Sequence, residues 1–254
     1  SMKKQTYLLG VVLFISFFVS CKHQEKKVDE DHKPSGIKEN FIPFVYGIDI
    51  SHHQNNEIDF ISKTLDSLSF VICKATEGVT YTDPLFLKNW KTIKARGFIR
   101  GAYHFYHSND DPIAQATHFM NTITNLENTD IPPIIDFEGG GIDTSQSVEE
   151  IQSALKIFLN EVQKKSKRTP IIYTDLNTGN KYLNSSYFSD YPLWIANYNG
   201  KKSPDLPDAW KKRGWFIWQR TSTYKLDSQN NDFDIFDGSL SAFKEFISNS
   251  LNKK

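Results

Sequence analysis

Residues 132–141 read PPIIDFEGGG: two prolines and two isoleucines lead into two acids, Asp136 and Glu138, and three glycines follow. Prolines are tolerated at the start of a strand, and β-branched residues suit its buried body. Residues i and i+2 of a strand project to the same face, with Cα atoms roughly 6.5–7 Å apart. The stretch therefore predicts a strand over 132–138 that presents two carboxyl groups on one face, with the glycines removing bulk beside them.

Other short β-rich runs lie on both sides of this one, within a folded region that begins near Phe41. The strand candidates are 45–50, 69–75, 98–105, 132–138, 170–175, 192–198, 214–220 and 232–236. Helix start and stop signals mark 84–96, 112–127 and 147–165, the last opening with the capping-box pattern SVEE. Helical signals weaken between the later strands. This pattern predicts an α/β fold in which the strands close into a parallel barrel. The expected architecture is a TIM-like β/α barrel that is modified by a strand-rich last third.

Most of these strands stay apolar until their C-terminal ends, where polar side chains appear. These residues are Asp49, Lys74, Glu77, Tyr103, His104, Asp136, Glu138, Tyr173, Asp175, Asn197 and Gln219. Active sites of β/α barrels form at the C-terminal face, from several strand ends at once. Acids, amides and aromatic groups on nearly every strand end therefore predict an active site rather than a set of helix caps.

Composition excludes some classes of partner. The chain has 254 residues, and its 30 basic side chains are balanced by 30 acidic ones. Without a basic excess to hold a phosphate backbone, a nucleic-acid partner is not expected. His52, His53, His104 and His107 do not follow the HExxH pattern or a comparable ligand spacing, so no metal site is expected. His104 is interpreted instead as a hydrogen-bonded barrel residue.

The N-terminal residues predict export. Two lysines precede an uncharged apolar run over residues 7–19, which is shorter than the roughly 18 residues that a membrane span needs and suits a secretory signal. Ser20 and Cys21 follow, and the arrangement resembles a bacterial lipoprotein signal, in which the cysteine becomes the lipidated first residue. We expect a signal peptide over 1–20 and an exported protein anchored to a membrane, in the periplasm or at the cell surface.

A charged stretch separates Cys21 from the folded region. Residues 22–40 are about half charged and carry almost no apolar side chains, so they predict a disordered tether. Nineteen residues would span at most about 60–70 Å. The only other cysteine is Cys73, which lies in the apolar stretch FVICKA and is interpreted as a small core residue. The expected organisation is a signal over 1–20, a tether over 21–40 and a single domain over 41–254.

At this point the motifs carry a family resemblance. In order along the chain they are GIDISHHQ (47–54), KATEG (74–78) with YTDP after it, GAYHF (101–105), IIDFE (134–138), YT (173–174), LWIANY (193–198), WQ (218–219) and NDFDIFDG (231–238). Together they resemble glycoside hydrolase family 25, lysozymes of the Chalaropsis type that are N-acetylmuramidases. The resemblance implies a modified β/α barrel that cleaves the β-1,4 bond between N-acetylmuramic acid and N-acetylglucosamine in peptidoglycan, with no metal or cofactor.

The resemblance also implies roles for individual residues. Glu138 takes the place of the proton donor, and Asp49, Asp136 and Asp232 take the places of the other acids around the cleaved bond. Asp234 rivals Asp232 for the last place. The family usually has Val before this Asp and Asn two residues after it, whereas this chain has Asn231 and Asp234 at those positions. The sequence leaves open a retaining, an inverting and a substrate-assisted mechanism.

Further residues are candidates for binding the glycan strand. They are Lys74, Glu77, Tyr81, Tyr103, Tyr173, Trp194, Asn197 and Gln219. Lys74 and Glu77 have an alternative interpretation as a structural salt bridge. Two other functions stay open: a non-catalytic module that binds cell-wall glycans, and a chitinase-like glycosidase on the same fold. A monomer is expected in each case.

Overall fold

The computed structural model describes residues 44–54, 67–226 and 229–251. The predicted signal peptide, Cys21 and the predicted tether lie outside these residues. Within the described ranges, no helix is both long and apolar enough to cross a membrane.

Eight strands close into a barrel, as the sequence predicts. Going round the ring, β1 pairs with β2, and β4, β5, β6, β7, β8 and β9 follow until β9 pairs with β1 again. The strands are β1 Phe44–Ile50, β2 Leu68–Glu77, β4 Ile99–Phe105, β5 Ile134–Asp136, β6 Ile171–Asp175, β7 Leu193–Ala196, β8 Ile217–Leu226 and β9 Gln229–Asp237. The two-residue strand β3, Tyr81–Thr82, is antiparallel to the end of β2 and lies outside the ring.

The last strand shows how the strand-rich last third modifies the barrel. β9 is antiparallel to both of its neighbours, β8 and β1, whereas the other six pairs in the ring are parallel. Only residues 227 and 228 separate β8 from β9. A connection of that length makes a hairpin, because a parallel pair needs a crossover of a dozen or more residues. β9 therefore runs from the C-terminal end of the barrel back to its N-terminal end.

Helices connect the strands. They are α1 Phe86–Ala95, α2 Pro112–Thr122, α3 Val148–Ser166, α4 Leu176–Tyr182, α5 Ser186–Ser189 and α6 Leu240–Asn249. The predicted capping box before α3 is confirmed, with Ser147 and Glu150 bonded reciprocally. α2 is shorter than predicted because the chain leaves helical geometry at Ile123 and turns at Glu127, whose backbone N–H bonds to Asp130. Short helices α4 and α5 occur where the helical signal is weak.

Two apolar layers hold the barrel. The outer layer lies between strands and helices and includes Cys73, which is buried as predicted. The inner layer fills the barrel, and residues of α6 complete it at the N-terminal end, where the Phe243 ring lies 5.1 Å from the Phe70 ring. Among the described residues, α6 therefore covers the N-terminal end of the barrel interior.

Candidate active site

A cavity of about 170 Å³ opens at the C-terminal end of the barrel. It is lined by Asp49, Tyr103, Asp136, Glu138, Tyr173, Trp194, Tyr198, Gln219 and Asp232. Seven of the eight barrel strands contribute a side chain, and β2 does not. Eight of these nine residues, all but Tyr198, were candidates from the sequence. Most were identified as polar or aromatic groups at strand ends, whereas Asp232 came from the family resemblance and Trp194 from the candidates for glycan binding.

Asp136 and Glu138 both face the cavity, although the strand itself is shorter than predicted. β5 ends at Asp136, but Phe137 stays in line because its backbone N–H bonds to the carbonyl of Tyr173 at 2.9 Å. Phe137 is fully buried in the outer layer. The alternation expected of a strand therefore continues for two residues beyond β5, which places both carboxyl groups on the cavity side.

The glycines after Glu138 serve the fold as well as the opening. A Cβ atom on Gly141 would lie 2.0 Å from the backbone oxygen of Tyr106, so no other residue fits there. Gly139 and Gly140 have no such contact below 3.5 Å. Only these two glycines fit the prediction that the stretch removes bulk beside the acids, whereas Gly141 is required by a close approach of two loops.

The acids of the cavity share an environment that favours their protonated forms. Burial, and then the charge of Glu138, holds the pKa of Asp136 well above its usual range. Burial, and then the charge of Asp175, raises the pKa of Glu138. Repulsion between neighbouring carboxylates also raises a pKa, but burial is the larger cause of both pKa shifts. A carboxyl group that stays protonated near neutral pH is what a general acid requires.

Asp136 also has an unused acceptor. Its Oδ1 atom is buried and receives no hydrogen bond from the described residues. An unpaired carboxylate oxygen inside a protein is costly unless a ligand, a water molecule or a proton satisfies it. Since this oxygen belongs to a residue that lines the cavity, a donor from a bound substrate can complete it.

A network of polar side chains fixes Asp49. The Nε2 group of Gln219 donates to Asp49 Oδ2 at 2.7 Å. The Oε1 atom of Gln219 in turn accepts hydrogen bonds from the hydroxyl groups of Tyr173, at 3.0 Å, and Tyr198, at 2.5 Å. This network orients the amide of Gln219 and so positions the Asp49 carboxyl group at the cavity wall.

The structure separates the two rival acids on β9. Asp232 is half-buried and lines the cavity, and burial raises its pKa to about 6. Asp234 is fully buried, does not line the cavity and accepts a hydrogen bond from Trp194 Nε1 at 2.8 Å. The geometry therefore favours Asp232 as the acid that can face a substrate.

Lys74, Glu77 and Tyr81 lie beside the cavity rather than in its lining. Lys74 is buried and bonds to Glu77 Oε2 at 2.5 Å, which is the salt bridge that the sequence offered as an alternative. Glu77 also contacts His107 Nε2 at 3.0 Å. The Lys74 ammonium group lies 5.6 Å from the centre of the Tyr81 ring. Its positive charge lowers the pKa values of Asp136 and Glu138 against the effect of burial.

The remaining candidates make structural contacts. Asn197 is not part of the lining, and its Oδ1 accepts the backbone N–H of Asp205 at 3.0 Å, so its role in binding stays a prediction. His104 is buried between Thr76 and Gln115, with contacts of 2.8 and 3.1 Å to its two ring nitrogens. The described ranges contain no group of three or more potential metal ligands.

Sequence reasoning missed Tyr198. Its side chain is 54% exposed, lines the cavity and bonds to Gln219. Tyr198 is the last residue of the LWIANY motif, two residues beyond β7. Its position after a strand end was the available signal, and the aromatic candidates chosen from the sequence stopped at Trp194 in this motif.

Comparisons with known proteins agree with this geometry. The model of the glycosyl hydrolases family 25 matches residues 48–229. The Escherichia coli protein YegX is 30% identical over 210 residues, covering 80% of this chain and 73% of YegX. Lysozyme M1 of Streptomyces globisporus is 29% identical over 216 residues, covering 81% and 72%. The crystal structure of the bacterial lysozyme from Streptomyces coelicolor has a TM-score of 0.73 at 27% identity, covering 81% and 98%. The family match includes Asp49, Asp136 and Glu138 and ends before Asp232.

Proposed function

The chain belongs to glycosyl hydrolase family 25, and from this membership we propose that it is a lysozyme, an N-acetylmuramidase that cleaves peptidoglycan. The bond hydrolysed is the β-1,4 link between N-acetylmuramic acid and N-acetylglucosamine. Similarity to proteins named as lysozymes supports the substrate. The observation that carries the proposal is the placement of Asp136 and Glu138 side by side in one cavity, with both pKa values raised.

In this mechanism Glu138 is the general acid. Glycoside hydrolysis requires a proton on the departing oxygen and negative charge near the anomeric carbon as an oxocarbenium-like ion develops. Glu138 lies beyond the end of β5, where its side chain is half-buried and reaches the opening of the cavity. Its raised pKa favours the protonated form that a general acid requires.

Asp136 positions the 2-acetamido group of the substrate. The acetamide N–H donates to the unpaired, buried Oδ1 of Asp136, and the acetamide carbonyl oxygen then attacks the anomeric carbon. Substrate-assisted cleavage of this kind is one of the known routes of glycoside hydrolysis. Attack by water or by Asp49 is the alternative. Direct attack by water would invert the anomeric configuration, whereas attack by Asp49 would retain it, as acetamide attack does, through a covalent glycosyl-enzyme. Glu138 supplies the proton, and the acetamide group of the substrate supplies the nucleophile. These steps therefore call for no cofactor.

Turnover separates this function from the two alternatives. Purified peptidoglycan incubated with the protein should release soluble muropeptides, and Glu138→Gln should release far less. A glycan-binding module would sediment with the peptidoglycan and release nothing. A chitinase-like enzyme would instead cleave chitin oligosaccharides faster than peptidoglycan. Either result would contradict the proposal.

We further propose that the enzyme is exported and held at a membrane by lipid on Cys21. The support is the apolar run over residues 7–19, which ends at Ser20-Cys21, and the charged stretch over 22–40. Peptidoglycan lies outside the cytoplasm, so export brings the enzyme to its substrate. A tether that reaches at most about 60–70 Å would let an anchored, monomeric domain act on the wall beyond the membrane.

A further inference from the structure

A second pair of carboxyl groups consists of Asp49, which lines the cavity, and Asp234, which does not. Asp234 points into the barrel from β9, where it is paired with Gly47 on β1 and Gln219 on β8. Its Oδ1 accepts the indole N–H of Trp194 at 2.8 Å. Its Oδ2 is buried and receives no N–H or hydroxyl hydrogen bond from the described residues. A single neutral hydrogen-bond donor offsets only part of the free-energy cost of removing a carboxylate charge from water.

The group that reaches Asp234 is the carboxyl group of Asp49. Asp49 is buried, with 6% of its surface exposed, and its Oδ2 atom accepts a hydrogen bond from Gln219 Nε2. In the antiparallel ladder of β1 and β9, Asp49 is opposite Asp232 and Asp234 is opposite Gly47, so Asp49 and Asp234 are diagonal neighbours on one face of the sheet. The charge of Asp234 raises the pKa of Asp49, as expected of two neighbouring carboxyl groups. Two ionised carboxylates have only acceptors, so a hydrogen bond between them exists only if one of them carries a proton.

We propose that Asp49 and Asp234 share a single proton, and that Asp234 is a positioning residue that sets the charge of Asp49. The groups that face the pair are Asp232 on β9, Trp194 on β7 and Gln219 on β8. Among the described residues, the groups that shift the pKa values of these two carboxyl groups include no Lys or Arg. A pair so enclosed carries one negative charge rather than two, as other closely spaced carboxylates do.

In this proposal Asp49 holds the proton in the free enzyme. Burial, and then the charge of Asp234, holds the pKa of Asp49 well above its usual range. Burial also raises the pKa of Asp234, but the hydrogen bonds from Trp194 and Asp49 act against that increase. With the proton on Asp49, Asp49 is the donor and Asp234 the charged acceptor, and the pair titrates as a unit.

This arrangement gives Asp49 a charge that depends on the reaction, a consequence that rests on the proposed function. As positive charge develops at the anomeric carbon, the O–H bond of Asp49 breaks and the proton moves along the existing hydrogen bond to Asp234. Asp49 becomes anionic at the cavity wall, Asp234 becomes neutral, and the total charge of the pair does not change. An interaction that strengthens only in the transition state raises the rate of the chemical step.

The test needs no substrate, so its result is independent of the muramidase proposal. Infrared spectra are recorded at pH 8 for the wild-type protein and for Asp234→Asn and Asp49→Asn. The carboxylic acid C=O band, identified by its shift in D₂O, should lose the intensity of one group in both variants. Each amide variant gives the remaining carboxylate an N–H donor, so neither variant needs the shared proton. Near-UV circular dichroism checks that each variant is folded.

Asp232→Asn is the matched control, since Asp232 lies on the same strand and has a pKa of about 6, so it is already ionised at pH 8. It should leave the band unchanged. A band lost in Asp49→Asn but kept in Asp234→Asn would show that burial alone protonates Asp49, and would overturn the proposal. A band kept in both variants, or lost only in the control, would overturn it too. In digestion assays Asp234→Asn should lose at most about tenfold in kcat, and Asp49→Asn about 10²–10³.

Discussion

Asp136 and Glu138 line one cavity because Phe137 between them is anchored in the opposite layer of the core. The backbone of Phe137 is bonded to Tyr173 on the neighbouring strand, and its ring is fully buried. Such an anchor leaves the two carboxyl groups little freedom to exchange places. Asp136 is the deeper and more buried of the two, and Glu138 is the more accessible. Their roles in the reaction should therefore differ under substitution.

Glu138→Gln should lose about 10²–10⁴ in rate on peptidoglycan, the contribution of a positioned general acid. It should lose much less on an aryl glycoside whose leaving group needs no proton. Asp136→Asn should be impaired on both substrates, because ring closure by the acetamide is needed whatever group leaves. The measurement is kcat for each variant on both substrates.

The reverse pattern would exchange the two roles. That pattern is a Glu138→Gln enzyme equally slow on both substrates together with an Asp136→Asn enzyme that recovers on the activated one. Product stereochemistry adds an independent check. A first product of inverted anomeric configuration would exclude attack by the acetamide and favour direct attack by water.

Lys74→Met should move the basic limb of the kcat/KM profile to higher pH. The Lys74 charge lowers the pKa values of Asp136 and Glu138, so its removal raises both. Since the reaction requires protonated Glu138, activity should persist to higher pH in the variant. Lys94→Met is the matched control, because Lys94 pairs with Glu127 on the surface. An unchanged or acid-shifted limb in Lys74→Met would contradict this account of the site's electrostatics.

Asp232→Asn should stabilise the protein at pH 8 and not at pH 4. The folded-state pKa of about 6 lies above the value of about 3.9 expected in the unfolded chain. The folded state therefore binds more protons between these values, and its stability falls as pH rises through that window. Asparagine removes this cost, and each kcal/mol relieved should raise Tm by roughly 2–4 °C.

Calorimetry at the two pH values measures this effect. Asp208→Asn is the control, since Asp208 is an exposed aspartate paired with Lys211. It should show no gain that depends on pH. An equal change in Tm at pH 4 and pH 8 for Asp232→Asn would mean that ionisation of Asp232 does not limit stability.

Cys21→Ser should move the protein from the membrane fraction to the soluble fraction of its native host. One acyl chain holds a membrane only marginally and two give a stable anchor, so loss of the lipidated residue should release the enzyme. Cys73→Ala is the control, because it changes the chain's other cysteine, which is buried in the core. Metabolic labelling with a fatty acid that fails to mark the wild-type protein would exclude lipidation.

The barrel and its open end could be predicted because they depend on local patterns. Apolar strands ending in polar groups, helix caps such as Ser147 and the order of the motifs are all readable in one chain. The direction of β9 within the modified last third was not predicted, because the strand's own residues do not encode its partner. The predicted strands 214–220 and 232–236 lie well apart in sequence, so the hairpin is visible only in the structure, where both strands are longer and residues 227 and 228 alone separate them.

The strand-end residues of the candidate site could also be predicted from the sequence. Residues at strand ends, such as Asp49 and Gln219, were identified because the fold brings those ends together. The sequence could not place Asp234 behind Asp49 or Asp232 at the opening, since the two acids lie two residues apart on one strand. Their difference arises from depth in the barrel, which depends on strand tilt and on neighbours such as Trp194.

The new reducing end in a peptidoglycan digest tests the central claim most directly. Purified peptidoglycan is digested with the wild-type enzyme, the products are reduced with borohydride, and mass spectrometry identifies the sugar that carries the reduced end. A digest with Glu138→Gln gives the background. A muramidase predicts reduced N-acetylmuramic acid at the new ends. Reduced N-acetylglucosamine would contradict the account, because it is the product of a glucosaminidase.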